Sequence, residues 1–257
     1  MPSPRVRILN VDFDPVTVAE ASARVLAWAR ERNSRVVVTP NVDHVVQIAD
    51  RPALAPVYAA ADLVLADGQP LVWASRLLGV DLPERVAGSD LFPVLLEDAK
   101  AGSGVRVFLL GGMDGVAERA AERIREQYPW VEIAGTHAPP FGFEAREVDN
   151  ERAVSAVAAA NADLVLVGLG APKQELWVHR ERARLACGVA LCLGATIDFM
   201  AGTIDRAPQW MRTSGLEWLY RLANEPRRLA RRYARDALVF PRLLARDALT
   251  RRLGRIT

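Results

Sequence analysis

Short apolar, β-branched runs alternate along this chain with stretches whose apolar residues recur at helical spacing. Val6 to Val11 reads as a first strand, and Pro15 to Arg32 follows as an amphipathic helix with Val18, Ala21, Val25 and Trp28 on one side. Further strands are expected at Arg35 to Val38, Asp62 to Ala66, Val105 to Leu110, Val131 to Ala134, Leu164 to Val167 and Val189 to Leu193. Between them lie helical patterns near 42–49, 53–60 and 69–78. Others run from Ser89 or Asp90, as the cap, to Lys100, and from Val116 through Ala120 and Ile124. The last two cover 145–160 and Pro172 to Ala186. Regular βα alternation predicts an α/β fold with a doubly wound, mostly parallel, Rossmann-like sheet.

The rhythm changes after Gly202. Leu216 to Ala223 reads as a helix, and Pro226 opens another that Pro241 is expected to interrupt. On this second helix Arg228, Arg231, Arg232 and Arg235 share a face, opposite Leu229, Tyr233, Ala237, Phe240 and Leu244. Residues 1–202 are therefore expected to form an α/β catalytic domain, and 203–257 a basic, amphipathic C-terminal helical appendage. Such a helix can lie in a membrane interface or dock its apolar side on the body.

The densest signal is Asp163-Leu-Val-Leu-Val-Gly-Leu-Gly-Ala-Pro-Lys-Gln-Glu175. A strand buried on both faces leads into a glycine turn, and Pro172 suits the first position of a helix. Lys173 and Gln174 then fall in the first helical turn, where free N–H groups attract anions. The pattern fits a phosphate-binding crevice and also a plain strand-to-helix connection.

Charge sharpens this picture more than composition does. The net charge of +2 conceals a tail, 221–257, with eleven Arg against Glu225, Asp236 and Asp247, or +8, so the remainder carries −6. A slightly acidic body with a basic tail points to an anionic surface or polymer as partner. No run approaches the ~18 apolar residues of a spanning helix, and Asp12 and Asp14 stand where a signal peptide needs an apolar block. A cytoplasmic protein is expected, with Cys187 and Cys192 as reduced core residues.

Several side chains stand just past strand ends, where an open α/β sheet binds ligands. Asp67, followed by Gly68, suits an acid–base group, although it can equally cap the next helix. Thr39 and Asn41 offer neutral hydrogen bonds to a hydroxyl-rich ligand or serve the turn. Arg85 suits a phosphate or carboxylate, and Asp198 a ribose hydroxyl or a helix cap. There is no GxxxxGK[ST] loop, no GxGxxG with its acidic partner, no GxSxG elbow and no Asp-x-Asp pair at a strand end. His44, His137 and His179 are too dispersed for a metal cluster, so neither a metal nor a cofactor is expected, and nothing points to nucleic acid.

Thr39-Pro-Asn41, Asp67-Gly68, Arg85-Val-Ala-Gly-Ser-Asp90, Gly168-Leu-Gly-Ala-Pro-Lys-Gln-Glu175, Gly194-Ala-Thr-Ile-Asp198, Arg206-Ala-Pro208 and Gly215-Leu-Glu-Trp-Leu-Tyr-Arg221 occur in this order. Together they resemble the motifs of the WecG/TagA/CpsF bacterial glycosyltransferases, glycosyltransferase family 26. The resemblance runs from about residue 5 to 235. It implies a metal-independent, inverting transfer of a sugar from a UDP-sugar donor to a polyprenyl-diphosphate-linked saccharide, at the inner face of the cell membrane. The donor sugar it implies is N-acetylmannosamine, its uronic acid or glucose. Carried over by motif, Asp67 is the general base with Thr39 beside it, and Asn41, Arg85 and Gln174 line the sugar pocket. Arg221, Arg228 and Arg231 match arginines that hold the lipid diphosphate, and Lys173 is available to the departing UDP. A homo-oligomer is compatible with this reading. The alternatives are a dinucleotide-dependent oxidoreductase and a non-catalytic nucleotide- or membrane-binding module.

Overall fold

The computed structural model describes residues 4–102 and 104–253. Its strands are β1 (Val6–Ile8), β2 (Val11–Phe13), β3 (Arg35–Val38), β4 (Leu63–Val64), β5 (Val105–Gly111), β6 (Val131–His137), β7 (Leu164–Gly168) and β8 (Val189–Cys192). The helices of the body are α1 (Val18–Ala29), α2 (Val42–Asp50), α3 (Ala55–Ala59), α4 (Gln69–Leu77), α5 (Gly88–Asp98), α6 (Val116–Gln127), α7 (Glu147–Ala159), α8 (Lys173–Glu181) and α9 (Thr196–Ala201). Beyond them come α10 (Gln209–Thr213), α11 (Glu217–Asn224) and α12 (Pro226–Leu253).

Six strands pair in parallel in the order β4-β3-β8-β7-β5-β6. Because side chains alternate across a strand, each apolar run feeds two cores. Val36, Val38, Val165 and Val167 face a layer that includes residues of α2, α3, α4, α7 and α8. Val37, Leu164 and Leu166 face the other, built from α1, α5, α6 and α9. The sheet is therefore covered on both sides, as the alternation predicted.

Three local expectations need correction. The run from Val6 to Val11 is not one strand of the main sheet. It reverses at Leu9, whose φ is 55°, and β1 pairs with β2 as a separate antiparallel hairpin. Neither Ser89 nor Asp90 caps α5, which begins at Gly88 without a side-chain cap. Pro241 does not interrupt α12, which continues for 28 residues. Pro241 and Ala237 both lie on the exposed side, so water can satisfy the carbonyl that the proline ring leaves unpaired.

Helix α12 runs along α2. Leu229 and Phe240 are buried, with Leu243, Leu244 and Ala248 packed alongside on the core, whereas Ala237 is exposed. The arginines do not act as one face. Arg232 approaches Asp43 (3.7 Å) and Arg235 pairs with Asp50, both acids belonging to α2. Arg228 bonds Glu225 at 2.6 Å, and Arg231 is exposed and pairs with no described residue.

Candidate active site

Parallel pairing brings the loops after β3, β4, β8, β7 and β5 to one edge of the sheet. Val38 stands opposite both Val64 and Cys192, Cys192 opposite Val167, and Gly111 opposite Gly168. The loop after β3 meets the loop after β4 through the Asp67 N–H, which donates to the Pro40 carbonyl at 3.0 Å. That bond sets Asp67 beside Thr39-Pro-Asn41.

Asp67 does not cap α4. Gly68 holds the cap position at φ 132°, with no side-chain cap bond. No described residue hydrogen-bonds the Asp67 carboxylate, which is half-buried. Burial pushes its pKa up to about 6, with Glu217 repelling the charge, while Arg85, Arg221 and His44 draw it back down. A carboxylate in this state is ionised at neutral pH and still basic enough to accept a proton.

The other expected residues take distinct places. Thr39 is buried, and its hydroxyl donates to the Cys192 carbonyl at 3.4 Å. Asn41 caps α2, its Oδ1 accepting from the His44 N–H at 3.4 Å, so the helix-start role is realised. Gln174 is buried at the start of α8. Its Nε2 donates to Glu175 at 2.8 Å, and its Oε1 has no partner among the described residues. Arg85 is already engaged, bonding Asp90 and, at 3.1 Å, Glu217 of α11. Asp198 sits in the first turn of α9 with its pKa raised by burial, while Arg228 opposes that rise. The Arg221 guanidinium lies 6.0 Å from the Phe199 ring and acts electrostatically on Asp67.

Lys173 stands elsewhere, on the rim of a pocket of about 590 Å³ lined by Gly112, Met113, Phe141, Gly168, Leu169 and Trp177 among others. Its ammonium is 3.7 Å from Glu144 and 3.7 Å from the Phe141 ring. Pro172 occupies the cap, so Lys173 and Gln174 are the first two helical residues. Beta strands 5 and 7 are neighbours whose onward connections run in opposite directions, β5 to β6 and β7 to β8. The pocket thus occupies a topological switch point, where such sheets take ligands. β4 and β7 are three strand spacings apart, about 14 Å, so Asp67 and this pocket stand well apart along the same edge of the sheet.

Sequence reasoning missed the clamp that closes the Asp67 end. Asp90, expected as a cap, accepts from Arg85, Arg206 and Arg212 (3.2 Å to the last). These contacts hold its carboxyl below the usual aspartate range against the opposing effect of burial. His44 and Glu175 were missed as well. Both are buried, and His44 Nε2 lies 3.7 Å from Glu175 Oε1. Among the described residues no group of three or more His, Cys, Asp or Glu side chains is placed to hold a metal ion.

The comparisons with known proteins bear on this geometry. The family model described as "Glycosyl transferase WecG/TagA/CpsF family" matches residues 6–254. A Bacillus spizizenii protein named N-acetylglucosaminyldiphosphoundecaprenol N-acetyl-beta-D-mannosaminyltransferase is 35% identical over 225 residues, 87% of this chain and 85% of the relative. A Staphylococcus aureus (strain MW2) protein of the same name is 29% identical over 229 residues, 88% of this chain and 87% of the relative. The chain is an enzyme that belongs to the WecG/TagA/CpsF family of glycosyltransferases.

Proposed function

We propose that this glycosyltransferase moves N-acetylmannosamine from its UDP conjugate to an N-acetylglucosamine carried on a polyprenyl diphosphate, with inversion and without a metal ion. The observation that carries the reading is the unbonded, half-buried Asp67 carboxylate beside Thr39. The acceptor hydroxyl oxygen forms a bond to the anomeric carbon as its proton passes to Asp67. The bond from that carbon to the UDP oxygen breaks on the opposite face, and the electron pair leaves on the phosphate. The names of the relatives support this donor and acceptor. The uronic acid of the same sugar and glucose are the competing donors.

The nucleoside diphosphate fits the switch-point pocket, with its sugar extending toward Asp67. Lys173 and the free N–H groups at the start of α8 then face the departing phosphates. Thr39, Asn41 and Gln174 lie along the sugar's path, with Asp198 available to a hydroxyl. Arg85, Arg221 and Arg228 supply positive charge toward the lipid diphosphate, and Arg231 extends that charge outward. Residues 203–257 act in this scheme as an appendage that closes the acceptor side. Trp73, Leu77, Trp218 and Leu219 are exposed on α4 and α11, suiting an apolar polyprenyl chain. A Cβ on Gly215, just before α11, would touch Gln69 and Trp73 of α4, so the two helices meet closely there.

No described helix is long and apolar enough to cross a membrane. Peripheral contact with the inner membrane face, through exposed arginines of α12, and self-association there complete the reading.

The test is UDP release measured over a panel of UDP-sugars, with short-chain polyprenyl-diphosphate-GlcNAc and polyprenyl-diphosphate-glucose as acceptors. Selective turnover of the N-acetylmannosamine donor on the GlcNAc acceptor, unchanged by EDTA, is expected. Turnover restored to a chelated enzyme by magnesium or manganese removes the metal-free mechanism.

A further inference from the structure

Asn150, near the start of α7, is 8% exposed, and both ends of its side-chain amide are in use. Its Oδ1 accepts from the Trp177 indole Nε1 at 2.7 Å and from Arg180 Nη2 at 3.0 Å, and its Nδ2 donates to Glu181 Oε1 at 3.0 Å. All three partners belong to α8. They also fix the amide's orientation, since turning it over would set its NH2 against two donors and its oxygen against a carboxylate.

These partners lead directly to the pocket beside Lys173. Trp177 is buried, yet it forms part of that pocket's lining. Its ring also meets the Phe143 ring, at 5.8 Å between centroids, and Phe143 lines the same pocket. A second wall is the loop after β6, which contributes residues 139–144. Two arginines hold that loop. Arg146 Nη2 donates to the Phe141 carbonyl at 3.2 Å and to that of Pro140 at 3.4 Å. Arg180 Nη2 donates to the Glu144 carbonyl at 3.1 Å while it also bonds Asn150. One buried amide thus joins the indole on one wall to the loop on another, through direct hydrogen bonds at every step.

We propose that Asn150 is a positioning residue for donor binding: it holds the Trp177 ring and, through Arg180, the 139–144 loop at the spacing into which the nucleoside diphosphate fits. The proposal deepens the nucleotide placement given above and rests on it. A ligand that meets walls already fixed loses less freedom on binding than one that must order them. Without the amide, the buried indole N–H loses its acceptor and Arg180 loses one of its anchors. Both walls then gain freedom, and the nucleotide has to order them again. The effect falls on the donor, because the acceptor is held near Asp67 and the C-terminal arginines.

The experiment uses N150L in the full chain. UDP affinity is measured by calorimetry, and the Trp177 indole N–H is followed by NMR, assigned by comparison with W177F. UDP is expected to shift that signal in the natural chain. N150L is expected to move the signal before any ligand is added and to weaken UDP by about fivefold, the worth of one hydrogen bond. It should raise KM for the UDP-sugar, with kcat and the acceptor's KM little changed. A lower Tm with UDP affinity kept makes Asn150 a packing residue only and overturns the proposal. Should N150L not fold, R180M decides, because Arg180 is exposed and its replacement leaves the core closed. Weaker UDP binding by R180M supports the proposal, and unchanged affinity overturns it. UDP that leaves the Trp177 signal of the natural chain unmoved takes the nucleotide out of this pocket, and the proposal falls with that placement. A shifted signal together with tight UDP binding by a folded N150L overturns the proposal alone.

Discussion

Arg85, on the loop before α5, donates from Nη1 to Glu217 at the start of α11 across 3.1 Å and 132 residues of chain. Glu217 therefore does two things at once. It fastens the C-terminal helices to the body, and its charge adds to burial, the larger cause, in raising the Asp67 pKa.

Replacing Glu217 by Gln separates these effects from a simple loss of packing. The ion pair is partly screened, so the expected loss of stability is about 1–2 kcal/mol, read by urea unfolding. Removing a negative charge near Asp67 lowers its pKa, so the acid limb of the transfer rate is expected to move to lower pH. A limb that stays in place would separate Glu217 from the reaction.

Asp67→Asn is expected to trade activity for stability. Losing a general base lowers turnover by a factor of about 10²–10⁴, with UDP affinity, measured by calorimetry, little changed. The folded pKa of about 6 lies above the ordinary aspartate value, so ionising Asp67 costs the folded state. The cost is fully present above pH 6 and fades as pH falls toward 4. The variant is therefore expected to be more stable than the natural chain by about 1–3 kcal/mol at pH 8, and the gap should close near pH 4. A variant less stable at pH 8 would show that the carboxylate is held by favourable contacts.

The sheet and its two cores were legible because Val36, Val37 and Val38 carry the two-residue period in a form no surface strand would need. Asp67 was legible as a group at the end of a strand. The clamp was not, since pairing between Asp90 and Arg206 or Arg212 spans more than a hundred residues and leaves no periodic trace. The reversal at Leu9 was hidden for a different reason: a positive φ at a leucine is imposed by the hairpin, against the residue's own preference. Strand order was equally invisible. Alternation of β and α says that strands are parallel, but not that β8 inserts between β3 and β7, which is what sets Asp67 and the pocket beside Lys173 apart along one edge of the sheet.

Gly111→Ala tests the pocket beside Lys173. Gly111 has φ 109°, and a Cβ there would press into the Gly168 carbonyl on the neighbouring strand. Both the backbone conformation and the clash must be absorbed by the floor of the switch-point pocket, at a cost of about 3 kcal/mol or more. Weaker UDP binding is expected together with a lower Tm, while the midpoint of the Asp67 titration stays unchanged. Tight UDP binding by a folded G111A would move the nucleotide out of this pocket.

The arginines of α12 divide by partner, and that division makes membrane contact testable apart from the packing of the helix on the body. Arg232 and Arg235 pair with Asp43 and Asp50, whereas among the described residues Arg231 is exposed without a partner and Arg242 meets only the Leu238 carbonyl of its own helix. Leu238 and Leu249 are exposed on the same helix, giving it the mixed apolar and basic surface that settles on anionic lipid. Each basic side chain near such a surface contributes about 1 kcal/mol. Arg231→Ala with Arg242→Ala is therefore expected to weaken binding to phosphatidylglycerol vesicles by about thirtyfold, from roughly 2 kcal/mol lost. The loss should shrink as salt is raised, and turnover of a short, water-soluble acceptor should be less affected than turnover in vesicles. Arg232→Ala with Arg235→Ala is the contrasting pair, expected to loosen α12 from α2 and lower Tm. Equal loss of vesicle binding from both pairs would mean that charge alone, and not the outward face of α12, meets the membrane.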